Sequence, residues 1–248
     1  MIDIHTHILY GVDDGSQDLE TSMEMVRLAS AGGTSVIVAT PHNGLPGLRQ
    51  ELPDLTLRLE KLRQSIKEAR IPVTLVKGTE LFATWELPEL LRQKAVWTLN
   101  DTRYFLTEFD FDEDPVFCMR VLERCREDGF LPVIAHPERY DFIQRSPEIV
   151  YDWFCEGYGI QLNKGSLLGR FGTRARRTAH LLMRCGLVSC IASDAHSAWR
   201  RTPHMAETRE LVEEDYGSDY AHLVFEDNPN RILSGRPLTG YEPIYPRM

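Results

Sequence analysis

Five of the chain's eight histidines stand at the ends of short apolar runs, and four carboxylates share that kind of place. His5-Thr6-His7 closes the first run, with Asp14 in the loop beyond it, and Thr40-Pro41-His42 closes the second. Glu80 follows the third run, Glu108 ends the fourth, His136 ends the fifth, and Asp194-Ala195-His196 ends the last. Side chains on a strand alternate, so both imidazoles of His-x-His face one side, where they can chelate a single ion. Taken alone, such a pair is more often two satisfied, half-buried histidines than a metal site, and the other motifs are no stronger. Convergence changes the weighing. Nine imidazole and carboxylate donors without sulfur suit manganese, zinc or iron rather than copper or a cluster, and nine exceed what one ion takes.

Such donors need a scaffold that gathers strand ends. Short β-branched and aromatic runs recur around Asp3, Val36, Thr74, Phe105, Val133, Ile160 and Ile191, which predicts seven strands. Between them, helical spacing joins Leu19, Met23 and Val26; Leu55, Leu59, Leu62 and Ile66; Cys118, Val121, Leu122 and Cys125; and Ala179, Leu182 and Met183. Gly32-Gly33, Gly129 and Gly186 punctuate the switches. Strand-helix alternation implies parallel strands with right-handed crossovers, and the lack of a Gly-x-Gly-x-x-Gly turn favours a closed barrel over a doubly wound sheet. On a barrel, the carboxyl ends of the strands build the active site. The expected architecture is one α/β domain spanning residues 1–248, a (β/α)7 TIM-like barrel.

Composition narrows the classes. Apolar residues make up 42% and charged residues 26%, as in an ordinary folded enzyme. Lys and Arg number 28 against 37 Asp and Glu, a net charge of −9, which disfavours nucleic acid and membrane surfaces as partners. No apolar run nears the roughly 18 residues of a membrane span, and the opening Met1-Ile2-Asp3-Ile4-His5 has no leader character, so a cytoplasmic protein without membrane insertion is expected. Five cysteines without a Cys-x-x-Cys pair suggest neither a disulfide framework nor a zinc ribbon. Cys118-x5-Arg124 matches the phosphate loop of cysteine-dependent phosphatases only formally, because Met119 to Glu123 is a helix-forming run and Cys118 lies on its apolar stripe. Arg170, Arg174, Arg176 and Arg177 are either a positive rim to the site or a solvated helix face. His180 and His222 are read as structural or exposed; His204 and Trp199 either line the cleft or pack; Asn163 either bonds a ligand or caps a loop.

The opening Met-Ile-Asp-Ile-His-Thr-His, Val-Asp-Asp-Gly at 12–15, Ala-His-Pro-Glu-Arg-Tyr at 135–140 and Ala-Ser-Asp-Ala-His at 192–196 resemble the PHP (polymerase and histidinol phosphatase) superfamily. Within it they resemble the bacterial metal-dependent tyrosine phosphatases of the capsule-regulating, CpsB-like type. Leu99-Asn100-Asp101, Pro203 to Glu207 and Asp227-Asn228-Pro229 extend the likeness along most of the chain. The resemblance implies a distorted seven-stranded barrel with three divalent ions, manganese first and zinc or iron as alternatives. It implies one ion on His5, His7, Glu80 and Asp194, a second on Glu80 as bridge with Glu108 and His136, and a third on Asp14, His42 and His196. It places Arg139 and Arg201 on the phosphate. The implied reaction is hydrolysis of phosphotyrosine by metal-bound hydroxide, on a phosphotyrosyl protein such as the tyrosine-rich tail of a membrane-associated kinase that controls capsule or exopolysaccharide synthesis. The 43–51 stretch, with Gly44, Pro46 and Gly47, departs from the family's bulkier or basic residues. Three rivals remain: a phosphatase for a small phosphomonoester such as histidinol phosphate, an amidohydrolase-type enzyme, which would want a Lys where Glu108 stands, and a catalytically silent metal-stabilised interaction domain. Oligomeric state is left open.

Overall fold

Each of the seven apolar runs forms strand. In the structure, a computed structural model that describes residues 1–45, 47–48 and 50–246, the strands are β1 (Ile2–Thr6), β2 (Val36–Ala39), β3 (His42–Asn43), β4 (Thr74–Lys77), β5 (Glu80–Phe82), β6 (Tyr104–Glu108), β7 (Leu131–Ala135), β8 (Gly159–Asn163) and β9 (Cys190–Ala192). All pairings are parallel. One ladder runs β1-β2-β4 and the other β3-β5-β6-β7-β8-β9. At the far side β9 meets β1 through Asp194 N–H to His5 O and His7 N–H to Ala195 O, both 2.9 Å, so the strands follow one another around a ring in chain order.

Seven strands are what spacing predicts, and the structure divides two of them. The Val36 run breaks at Thr40-Pro41 into β2 and β3, and the Thr74 run breaks at Gly78-Thr79 into β4 and β5. Pro41 has no N–H to give a ladder. At Gly78 a β-carbon would lie 2.8 Å from Val38 Cγ1 and 2.9 Å from Leu99 Cδ2, so backbone and neighbours pack too closely for any side chain. Both strands step sideways there, from the first ladder to the second. The Glu80 N–H to Pro41 O bond, 3.1 Å, keeps the two breaks in register.

The helices cover the ring as their apolar stripes require. Leu52–Glu68 buries Leu55, Leu59, Leu62 and Ile66, and Pro115–Glu127 buries Cys118, Val121, Leu122 and Cys125, the residues picked out by spacing. Asp18 and Asp114 accept from Thr21 N and Val116 N at the starts of Leu19–Ala31 and Pro115–Glu127. Gly129 turns the second of these helices into β7 at a φ of 87°, a region costly for other residues. Ile4, Val38, Val76, Leu106, Val133 and Cys190 form an apolar cluster drawn almost wholly from strands, as the inside of a barrel demands. Helices Ala206–Tyr216, Ser218–His222 and Asn228–Leu233 follow β9. Pro46, in the divergent 43–51 stretch, lies outside the described residues.

Candidate metal centre

All nine predicted donors come to one end of the ring. His5 lies within β1 and His7 just past it, with Asp14 in the following loop; Glu108 is the last residue of β6, and His136 follows β7 directly. Asp194 and His196 lie just beyond β9. The strand breaks set the remaining two: His42 opens β3, Glu80 opens β5, and the two are register partners, side by side. His136 and Asp194 hold left-handed backbone, with φ of 37° and 49°. Non-glycine residues there cost on the order of 1–3 kcal/mol and persist where their surroundings impose them.

Glu80 is the hub. Its Oε2 lies 3.1 Å from His5 Nε2, 3.2 Å from His7 Nε2 and 3.1 Å from His42 Nδ1, while its Oε1 lies 3.1 Å from His136 Nε2. Asp194 Oδ1 is 3.6 Å from His5 Nε2 and 3.5 Å from His7 Nε2. Glu108 Oε1 approaches His42 Nδ1 to 2.8 Å, and Glu108 Oε2 lies 3.9 Å from His136 Nε2. Asp14 Oδ1, the most exposed donor, is 3.7 Å from His42 Nε2 and 3.3 Å from His196 Nε2. Three groups are tight enough to surround a cation: His5, His7 and Glu80; His42, Glu80 and Glu108; and His7, Asp14, His42 and His196.

These residues fit metal ions on their own chemistry. His42 Nδ1, Glu80 Oε2 and Glu108 Oε1 are buried and crowd together, yet none makes a hydrogen bond. Buried donors and acceptors normally find partners, and facing lone pairs without a shared proton are what a cation satisfies. Opposite charges hold one another in the cluster despite burial. Burial opposes ionisation of Glu80 and Asp194, but the surrounding imidazoles, His5 foremost, hold both carboxyls well below the usual range. Burial likewise opposes charge on His5 and His7, and Glu80, Asp194 and Asp13 outweigh it. Burial together with the Glu80 charge pushes Glu108 up, and burial takes His136 down to about 4.

The two predicted arginines flank this cluster. Arg139 Nη1 donates to Asp194 Oδ2 at 3.4 Å, and Arg201 Nη2 pairs with the same oxygen, while Arg201 Nη1 lies 3.2 Å from His196 Nε2. Phe171 lies beneath both, with its ring centroid 4.4 Å from the Arg139 guanidinium carbon and 5.5 Å from that of Arg201. Phe111 covers Arg139 from another side at 4.9 Å.

With this geometry in view, known proteins supply the context. A model of the family described as "Capsular polysaccharide synthesis, CpsB/CapC" matches residues 1–234. The chain belongs to the CpsB/CapC family. It is 34% identical to the tyrosine-protein phosphatase YwqE of Bacillus subtilis over 92% of this chain and 89% of that one. The crystal structures of YwqE and of CpsB from Streptococcus pneumoniae, described as metal-dependent tyrosine phosphatases, include a match with a TM-score of 0.94 at 31% identity, covering 100% of both chains. A histidinol phosphate phosphatase from Lactococcus lactis, bound to zinc, L-histidinol and phosphate, shares the fold with a TM-score of 0.55 at 14% identity, over 86% of this chain and 93% of that one.

In this CpsB/CapC chain, several site residues escape sequence reasoning. Asp13 accepts from His7 Nδ1 at 2.8 Å and from the His42 and Gly15 backbone N–H groups, so it fixes the loop that carries Asp14. Its place in Val12-Asp13-Asp14-Gly15 was the available signal. Gln161 Oε1 accepts from His5 Nδ1 at 2.8 Å, and Asn163 donates to Asp194 Oδ2. The two polar residues alternate on β8 and so face one side. Asn163 makes no side-chain cap to the helix that follows it, and its side chain bonds Gln161 and Asp194 instead. Phe171 gave no signal at all. Among the weighed residues, His180 bonds Tyr216 and the Leu167 carbonyl, whereas His204, His222 and Trp199 are exposed. Cys118 is fully buried, and burial pushes its thiol far up, as a core residue requires and a nucleophile forbids.

Proposed function

We propose that the chain is a metal-dependent tyrosine phosphatase acting on phosphotyrosyl proteins. The observation that carries the reading is the buried cluster of donors around Glu80, in which His42 Nδ1, Glu80 Oε2 and Glu108 Oε1 crowd together without a hydrogen bond, with two arginines on its rim. Three divalent ions, manganese first, would be held by His5, His7, Glu80 and Asp194; by Glu80, Glu108 and His136; and by Asp14, His42 and His196. The two oxygens of Glu80 face different imidazoles, so Glu80 would be shared between two of the ions. Bound divalent ions neutralise the phosphate dianion and acidify a water.

The chain's own residues do the rest. Nδ1 of His7 donates to a carboxylate and Nδ1 of His5 to an amide oxygen, so both rings turn the Nε2 lone pair into the cleft. Arg139 and Arg201 offer planar forks to the equatorial phosphoryl oxygens, and Phe171 holds both guanidinium planes. A phenol with a pKa of about 10 leaves with little protonation help, which suits a site whose imidazoles and carboxylates are committed elsewhere.

The substrate proposed for the cell is the tyrosine-rich tail of a membrane-associated kinase that regulates capsule or exopolysaccharide synthesis, in keeping with the family's description. We place the enzyme in the cytoplasm, where such a tail lies. No helix among the described residues is long and apolar enough to cross a membrane. The test is metal analysis of the purified protein with turnover of a phosphotyrosyl peptide, with and without manganese. Metal-stimulated turnover that a chelator stops supports the reading, and turnover indifferent to chelation would overturn it.

A further inference from the structure

Between Glu156 and Asp194 the chain carries no Asp or Glu, while Lys164, Arg170, Arg174, Arg176, Arg177 and Arg184 fall within that stretch. A net charge of −9 for the whole chain therefore divides into +6 here and −15 elsewhere. Four of these arginines lie on the helix Gly172–Arg184, exposed, and among the described residues none of the four has a carboxylate within ion-pair reach. The neighbouring Arg170 is paired with Glu207. On so acidic a molecule an uncompensated strip of guanidinium groups is a binding field rather than average surface.

That strip borders a groove of about 830 Å³, lined by Gln144, Pro147, Arg174, Arg177, Leu181 and Arg184. One wall of the groove, Gln144, is shared with the rim of the candidate active site. Gln144 also lines a smaller hollow of about 250 Å³ whose other walls include Phe111, Arg139 and Phe171, the residues that hold the phosphate-binding fork. Asp141 is the one carboxylate on that hollow, and the larger groove has none. Gly172–Arg184 adds its own field: it starts beside Phe171 with no acidic residue in its first turn, so the positive end of its dipole is uncompensated at the cleft side.

We propose that this groove holds acidic side chains that flank the phosphotyrosine of the substrate polypeptide. The inference rests on the phosphatase reading and adds a sequence preference to it. A peptide with its phosphate between Arg139 and Arg201 must leave the cleft along the surface, and the groove that adjoins the Arg139 hollow at Gln144 gives it a path of complementary charge. Pro147 and Leu181 supply apolar contact beside the arginines, as at peptide-binding clefts generally. Charge of this kind sets specificity and capture rate more than ultimate affinity, and salt screens it.

The test compares phosphotyrosyl peptides with four Glu, or four Gln, placed before or after the phosphotyrosine, in the manganese-loaded full-length enzyme. On one side, Glu should be preferred to Gln by about tenfold in kcat/KM, mainly through KM, and the preference should shrink with added salt. Arg174→Glu with Arg177→Glu should abolish or reverse it, and Arg184→Glu alone should weaken it. No preference in the wild type, or one that survives the double variant, would overturn the proposal. So would binding of anionic lipid vesicles through the same arginines with no peptide preference. Hydrolysis of a simple aryl phosphate, run in parallel, reports on the phosphatase reading itself, so that the two can fail separately.

Discussion

Asp194 shows how much one side chain carries. Its Oδ1 faces His5 and His7, and its Oδ2 takes Arg139, Arg201 and Asn163, all from a residue held at positive φ. The proposed metal donors and the proposed phosphate fork thus share one carboxylate, yet they make separable predictions. Glu80→Ala should lose metal and activity together, because four imidazoles surround its two oxygens; full metal content with normal turnover would sink the shared-ligand scheme. Arg139→Lys and Arg201→Lys keep the charge and lose the fork. Each should lower kcat/KM on an aryl phosphate by about 30- to 1,000-fold, roughly 2–4 kcal/mol, the range for preorganised donors used in a transition state. Metal content should be unchanged. Wild-type kinetics in both lysine variants would place the clamp elsewhere.

At the scale of elements, the two strand breaks do the positioning. His42 and Glu80 face each other because β2 and β4 step into the second ladder at the same level, and Gly78 permits the step. Gly78→Ala would force a methyl within 3 Å of Val38 and Leu99, where neither neighbour can withdraw far. Overpacking of this kind costs about 1–3 kcal/mol, so the melting temperature should fall by roughly 2–12 °C at the sensitivity of a domain this size. Metal affinity should fall too, read by titration. Gly129→Ala, strained by its φ alone and open to solvent space, should cost stability and leave metal affinity intact. The same elements show what is legible in a sequence. Period two and period 3.6 reach along the chain, so the strand runs and the stripes of Leu52–Glu68 and Pro115–Glu127 can be read directly. Placing donors at strand ends also needs only order along the chain. Lateral facts do not follow from order: that Gly78 has no room for a β-carbon, that Gln161 meets His5, or that Phe171 lies under two arginines from distant segments.

For the whole molecule, the donors span residues 5 to 196, so the candidate metal centre exists only when the ring has formed. Ions that bind the folded chain and not the unfolded one add stability by mass action, about 2.7 kcal/mol for each site at a free concentration 100 times its dissociation constant. Electrostatics inside the cleft add a second reason. Glu108 is pushed up by burial and by the Glu80 charge beside it, and a cation between the two carboxylates would replace that repulsion with attraction. The field of the molecule changes in the same direction: the three divalent ions proposed above would take a net charge of −9 to about −3, and a phosphorylated substrate would meet less repulsion on approach. Removing the bound metal with a chelator should therefore lower the melting temperature by roughly 5–10 °C for each site lost, at about 2–4 °C per kcal/mol. Manganese added back in excess should restore both the melting temperature and the turnover of an aryl phosphate. Differential scanning calorimetry on the chelated and reloaded protein reads this without reference to activity. A melting temperature indifferent to chelation, in protein whose metal content has been shown to fall, would mean that the cluster around Glu80 is held by protein contacts alone.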